Sequence, residues 1–185
     1  MIVSSILNAA TIGKFTVWHL KIMIEEIQQQ LITTFGTEAV VRVEESNLQP
    51  ILVVNVEYIV PICMYLRDTQ GHYYDFLSNI SAVDYFPENR FTVVYHLASL
   101  PYQTQLVLKV EIPNERSQDN LPEVPSVSSV WKTADWHERE AYDLMGIFFI
   151  GHPDLRRILL PDDWQGHPLR KDYQDPESYH GITIK

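Results

Sequence analysis

The stretch Phe91-Thr-Val-Val-Tyr-His-Leu-Ala-Ser-Leu-Pro-Tyr-Gln-Thr-Gln-Leu-Val-Leu-Lys-Val-Glu-Ile112 decides the fold. Val93, Tyr95 and Leu97 alternate with Val94, His96 and Ala98, and Leu106, Leu108 and Val110 alternate with Val107 and Lys109. A period of two sends neighbouring side chains to opposite faces, so Phe91 to Ser99 and Gln105 to Ile112 read as strands joined at Leu100-Pro101-Tyr102. Tyr73 to Phe86 is a third β-type run, set off by the turn Pro87-Glu88-Asn89-Arg90. The three predict an antiparallel meander with one face covered.

Towards the amino end, Glu57 to Asp68 places Tyr58, Ile62, Tyr65 and Leu66 on one side of a helix. Pro61 is harmless only near the helix start, where its missing N–H has no partner to lose, so the helix should begin near Tyr58. Ala39 to Glu44 and Ile51 to Val56, separated by a Ser-Asn-Leu-Gln-Pro turn, read as a hairpin. Val17 to Phe35 repeats Leu20, Ile24, Ile27, Leu31 and Phe35 at helical spacing, and Gly36 supplies the stop. The order α-β-β-α-β-β-β predicts an α+β domain, two helices on one face of a five-stranded mixed sheet, over residues 1–112. Residues 113–126, punctuated by Pro113, Pro122 and Pro125, read as a linker or surface crossing.

Residues 127–185 read as a helix, Val127 to Met145, followed by an extended arm. The helix sets Trp131, Ala134, Ala141 and Leu144 at core spacing, with Glu138, Arg139, Glu140 and Asp143 exposed or paired. Arg139 and Asp143 are four apart and share a face. Beyond Gly146 the chain carries Gly-His-Pro twice, at 151–153 and 166–168, with arginines shortly after each. Proline forbids a long helix there, so the aromatics and arginines of the arm are expected to need some other surface.

The chain has 185 residues and a formal net charge of −10, with 7 basic against 14 acidic groups in residues 1–130 and 7 against 10 in residues 131–185. That balance argues against nucleic acid and anionic membrane surfaces as partners. One cysteine, Cys63, cannot form an internal disulfide or supply the thiolates of an iron–sulfur cluster, and it reads as a small buried apolar residue. The seven glycines form neither G-x-G-x-x-G nor a P-loop. His137-Glu138-Arg139-Glu140-Ala141 lacks the second histidine of a zinc protease helix, and the spacings of His137, His152, His167 and His180 match no metal pattern. Glu138 and Glu140 point apart on a helix and make no acid–base pair. The first ten residues lack the basic start of a signal peptide, and no stretch approaches the ~20 apolar residues of a membrane span. The expectation is a cytoplasmic protein with no catalytic, cofactor-binding or metal-binding residues.

Glu138-Arg-Glu-Ala-Tyr-Asp-Leu-Met145, then six residues, His152, three residues, and Arg156-Arg-Ile-Leu159 resembles the signature of the 30-kDa subunit family of respiratory complex I. That family provides the C-type subunit of bacterial NADH-quinone oxidoreductase and the J-type subunit of the chloroplast-type complex. Asp84-Tyr-Phe-Pro87, Phe91 to Leu97 and Gly166-His-Pro-Leu-Arg-Lys-Asp-Tyr173 resemble it too, so the likeness covers roughly residues 17–175.

The resemblance implies a non-catalytic structural subunit of the peripheral arm, in the quinone module, supporting electron transfer from NADH to quinone coupled to proton translocation. It implies 49-kDa (D-type) and B-type partners, with an I-type subunit a further candidate. FMN, iron–sulfur clusters and quinone would be held by other subunits. The place would be the cytoplasmic side of the bacterial inner membrane, without direct insertion, and the end soon after Tyr173 implies a stand-alone chain and not a fused C/D protein. His152, Asp154, Arg156, Arg157, Trp164, His167, Arg170, Lys171 and Tyr173 become the expected partner contacts, beside the signature residues Glu138, Arg139, Glu140 and Asp143. The alternatives are the equivalent subunit of a plastoquinone-reducing, ferredoxin-linked or F420-linked dehydrogenase or of a membrane-bound hydrogenase, or a free-standing soluble enzyme or binding domain.

Overall fold

Alternation in the meander is realised residue for residue: Phe91, Val93, Tyr95 and Leu97 lie on one buried face with Leu106, Leu108, Val110 and Ile112. The computed structural model describes residues 9–44, 49–117 and 120–184, with side chains from Lys21 onward. In chain order the elements are α1 (Ala9–Phe35), β1 (Val40–Glu44), β2 (Ile51–Val54), α2 (Ile59–Asp68), β3 (Phe76–Tyr85), β4 (Arg90–Ser99), β5 (Thr104–Pro113), β6 (Glu123–Pro125), α3 (Ala134–Met145), β7 (Phe148–Ile150), β8 (Ser178–Tyr179) and β9 (Ile182–Thr183).

The five-stranded sheet has the order β1-β2-β5-β4-β3. Its pairings are antiparallel except one: β2 runs parallel to β5, with Ile51 opposite Val107 and Val54 opposite Val110. The amino-terminal hairpin is thereby attached to the last strand of the meander, which makes the sheet mixed.

α1 packs Ile24, Ile27 and Leu31 on the core face, and α2 adds Ile59, Ile62, Cys63 and Leu66. Each fully buried side chain of this size contributes roughly 1.5–3 kcal/mol. Pro61 is the third residue of α2, where an N–H would lack a helical partner in any case. Burial pushes the Cys63 thiol up, consistent with an inert core residue.

Two boundaries differ most from expectation, and the turn expected over residues 46–50 lies mostly outside the described residues. α1 starts at Ala9 and not near Val17, because the apolar period that marks a helix is absent from Thr11-Ile-Gly-Lys although the backbone is helical there. α3 starts at Ala134 and not at Val127: the carbonyl of Val127 accepts from the N–H groups of Val130 and Trp131, a single turn that goes no further. Val127 and Val130 are β-branched and Ser128 bonds locally to the Ser126 hydroxyl, so this run is a poor helix former.

The core continues past residue 112. Val124 on β6, Val127, Val130, Trp131, Ala134, Ala141, Met145, Ile147 and Phe149 belong to the same buried cluster as the sheet. Within the stretch read as a linker, β6 pairs in parallel with β7, Val124 opposite Phe149, and Val124 is fully buried. α3 is therefore a third helix on the sheet's covered face, fastened by the Trp131 indole N–H to the carbonyl of Tyr74 at 3.1 Å.

Candidate partner interface

α3 ends at Met145, followed by Gly146 in the left-handed region at φ 68. The last carbonyls of a helix have no helical donors, and a buried helix end must find them elsewhere. Here the arm supplies all of them. Nδ1 of His167 donates to the carbonyl of Asp143 at 2.9 Å, the N–H of Leu169 to Leu144 at 3.0 Å, Nε of Arg170 to Met145 at 2.8 Å, and Nη2 of Arg170 to Gly146 at 3.1 Å. A side chain at residue 146 has no room: a Cβ would lie 2.4 Å from the Arg170 guanidinium and 2.5 Å from the His167 ring.

The Asp143 carboxylate, fully buried, is the second fastening. Its Oδ2 accepts from three consecutive backbone N–H groups, Ile158, Leu159 and Leu160, at 3.0, 2.7 and 2.9 Å, and Oδ1 accepts from Arg157 at 2.8 Å. Burial alone would raise its pKa, but the N–H groups and Arg157 outweigh it and hold the carboxyl below its ordinary range. Arg157 also reaches the carbonyl of Gly166 at 3.0 Å, tying the second Gly-His-Pro turn to the segment that binds Asp143.

A third fastening ties the arm to the sheet. Asp84 on β3 accepts from both terminal nitrogens of Arg116 and from the backbone N–H of Lys171 at 2.8 Å, while Arg116 reaches on to Asp172 at 3.0 Å. Further out, the Trp164 indole N–H donates to the Tyr173 hydroxyl at 3.1 Å, and Tyr179 and His180 of the β8–β9 turn bond Asp163 at 2.8 Å each.

Towards the start of α3, Glu138 is also fully buried. It accepts from Ser126 Oγ at 2.5 Å and from the N–H of Val127 at 2.7 Å. The nearest positively chargeable group among the described residues is His152, 4.0 Å away. His152 accepts from the N–H of Asp154 at Nδ1, so Nε2 carries the proton and donates to the carbonyl of Asp135 at 3.2 Å. With no full cation at hand, burial pushes the Glu138 carboxyl up to about 7.

The expected contact residues therefore divide. The His152 side chain is enclosed, and His167 and Arg170 are buried. Arg157, Trp164 and Tyr173 are half-buried, whereas Asp154, Arg156 and Lys171 are exposed, the first two as an ion pair at 2.9 Å. On the signature helix Glu138, Arg139 and Asp143 are buried, and Glu140 is exposed.

Two expectations are corrected. The arm's arginines do not all need a foreign surface: Arg157 and Arg170 serve the end of α3 in their own chain. Of the α3 charges expected to be exposed or paired, Glu138 is buried with no ion-pair partner closer than 4.0 Å among the described residues, and Arg139 is buried against the carbonyl of Arg156 and the Trp136 ring, while Asp143 is taken by the arm.

Sequence reasoning assigned no role to Asp84, Arg116, Ser126 or the exposed Trp136 and Leu159. Asp84 lay inside a recognised stretch, but its partners are 32 and 87 residues distant. The arm, fixed beneath, turns Leu159 (60% exposed) and Leu169 (57%) outward, and Trp136 on α3 is 65% exposed beside Arg139. Aromatic, aliphatic and arginine side chains held outward on a rigid base are the ingredients of a protein interface.

Comparison with known proteins agrees with the resemblance in the sequence. The family described as "Respiratory-chain NADH dehydrogenase, 30 Kd subunit" matches residues 52–179. A protein of Chloroherpeton thalassium, named as the C-type subunit of NADH-quinone oxidoreductase, is 45% identical over 152 residues, covering 81% of this chain and 60% of its own length. The proteins of the same name from Chlorobium phaeobacteroides and Moorella thermoacetica are 46% and 44% identical, over 72% and 80% of their lengths and 66% and 68% of this chain. This chain thus spans about three fifths of the first of these relatives and more of the others. Among solved structures, a chain of the membrane-bound sulfane sulfur reductase, an archaeal respiratory membrane complex, shares the fold with a TM-score of 0.65 at 23% identity, over 81% of this chain and 85% of that one.

Proposed function

The chain belongs to the 30 kDa subunit family of respiratory-chain NADH dehydrogenases, and from that premise we propose that it is a non-catalytic assembly subunit of an NADH-quinone oxidoreductase. In this reading it sits in the quinone module of the peripheral arm, against 49-kDa (D-type) and B-type subunits, with an I-type subunit a further neighbour. FMN, iron–sulfur clusters and quinone belong to other subunits of the complex, which carry electrons from NADH to quinone and couple the transfer to proton translocation. Its place is the cytoplasmic side of the bacterial inner membrane; no helix among the described residues is long and apolar enough to cross a bilayer.

One observation carries the reading. Asp143, the backbone N–H groups of 158–160, Nε and Nη2 of Arg170 and the N–H of Lys171 hold the arm in shape, while Trp136, Leu159 and Leu169 face outward with no role in that fastening. A pre-ordered apolar and arginine-bearing surface binds a protein without a large ordering cost.

The test is purification of the complex from cells whose only copy of this chain carries Trp136→Ala with Leu159→Ala. Loss of the chain from the isolated oxidoreductase, with its own melting temperature preserved, is the expected result. Unchanged incorporation would overturn the proposal, and a hydrogenase large subunit among the companions of the wild-type chain would move it to a related complex.

A further inference from the structure

Behind the end of α3 the arm encloses a cleft of about 350 Å³, bordered by Arg116, His167, Arg170, Asp172, Tyr173 and Gln174. Its two arginines differ. Arg116 is fully engaged, with Asp84, Asp172 and Asn89. Arg170 is 8% exposed and gives Nε and Nη2 to two carbonyls, and no carboxylate lies within 4.0 Å of it among the described residues. Arg139 is also buried without a carboxylate at that distance, and each guanidinium lies over a ring, Arg139 5.1 Å from the centre of Trp136 and Arg170 5.6 Å from that of Phe91; what sets Arg170 apart is that it also borders the cleft.

Burial lowers the proton affinity of Arg170, the mark of a desolvated cation short of negative charge. Carbonyls at a helix end offset part of that charge and leave Nη1 without an acceptor among the described residues. Tyr173 also borders the cleft: its oxygen accepts from Trp164, and its own hydrogen has no acceptor among the described residues.

We propose that this cleft receives one aspartate or glutamate side chain of a neighbouring subunit, bonded to Nη1 of Arg170 and the hydroxyl of Tyr173. The proposal rests on the assembly reading and names the chemistry of its contact. A single negative charge fits, because the cleft offers one unmatched guanidinium and already has Asp172 on its border; a phosphate dianion would meet repulsion there. Leu169, exposed next to Arg170, gives the incoming chain an apolar contact beside the charged one.

Replacing Arg170 would also uncap α3, so the informative substitution fills the cleft instead. Gln174→Glu puts a carboxylate on its border, where it competes for Arg170. Expected are about a tenfold loss of the chain from the salt-washed complex and an unchanged or higher melting temperature for the isolated full-length protein. In parallel, propionate, a single carboxylate, should raise the melting temperature of the wild-type protein beyond sodium chloride of equal ionic strength, and less so for Gln174→Glu. A Gln174→Glu chain that assembles like wild type overturns the proposal, as does propionate acting no differently from chloride or inorganic phosphate acting more strongly than propionate. A wild-type chain that co-purifies with no other oxidoreductase subunit would instead overturn the assembly reading, and with it the source of the carboxylate.

Discussion

The two halves of α3 each bury a carboxylate completely, and the protein treats them in opposite ways. Glu138 has two neutral donors and Asp135 nearby, and its pKa rises to about 7; Asp143 has three backbone N–H groups and an arginine, and its pKa falls. Desolvation opposes the charge at both sites. What differs is how many donors meet the oxygens and whether one is a full cation. Asp143 belongs to a permanent fastening of the arm, whereas Glu138 closes the turn at Ser126 and Val127 with a charge it can lose near neutral pH.

Asp143→Asn strikes the tighter site and should have the largest effect. An amide offers one acceptor oxygen and brings two hydrogens of its own, so it cannot satisfy three N–H groups and Arg157 together. Breaking a buried charged network in this way costs about 3–5 kcal/mol. Denaturant unfolding measures the loss, and limited proteolysis should show cleavage in residues 151–173 before the sheet opens. A loss below about 1 kcal/mol would mean that the arm is held mainly by other contacts.

The Glu138 site predicts a pH dependence of opposite sign. Its folded pKa, about 7, exceeds the ordinary 4.5, so the folded state binds more protons and stability declines as pH rises from about 4.5 to 7. Asp143, depressed below its ordinary 3.8, contributes stability above that value and loses it as pH falls through its folded pKa. Glu138→Gln should therefore match wild type near pH 5 and exceed it at pH 8, by on the order of 2–3 kcal/mol. Parallel stability curves for the two proteins from pH 5 to 8 would remove the distinction between the sites.

Gly146→Ala comes next, at about 2–3 kcal/mol, because φ 68 disfavours any side chain and the added methyl meets Arg170 and His167. Thermal unfolding reads it directly. If the loss were small, the arm would have moved off the helix end, and the bond from His167 to Asp143 would be lost with it.

These sites also show where the sequence stops being legible. The meander could be read because Phe91, Val93, Tyr95 and Leu97 obey a period of two, and Gly36 and Gly146 mark helix ends because only glycine tolerates those angles without strain. The parallel pairing of β2 with β5 could not, since no local signal says which strands become neighbours across 56 residues, the separation of Ile51 from Val107. Glu138 and Asp143 read as surface charge because acidic and basic residues at helical spacing describe an exposed face equally well. Their donors come from irregular backbone at 126–127 and 157–160, which has no period to read. The same holds for Arg170, which the resemblance placed at a partner contact although two of its nitrogens turn inward.

Trp136→Ala on the outer side of α3 should have the smallest effect on stability and separates fold from function most cleanly. The ring is 65% exposed and touches Arg139 through its face only, so removing it should change the unfolding free energy by no more than about 0.5–1 kcal/mol. Assembly should respond far more, because an exposed tryptophan gains its energy only when a partner excludes water from its ring. Asp143→Asn weakens assembly through a loosened arm, so its defect should follow the fraction of folded arm and shrink on cooling or with a stabilising osmolyte. The Trp136→Ala defect should persist under the same conditions. Equal rescue of both variants would mean that Trp136, like Asp143, acts through the chain's own fold and not through a neighbour.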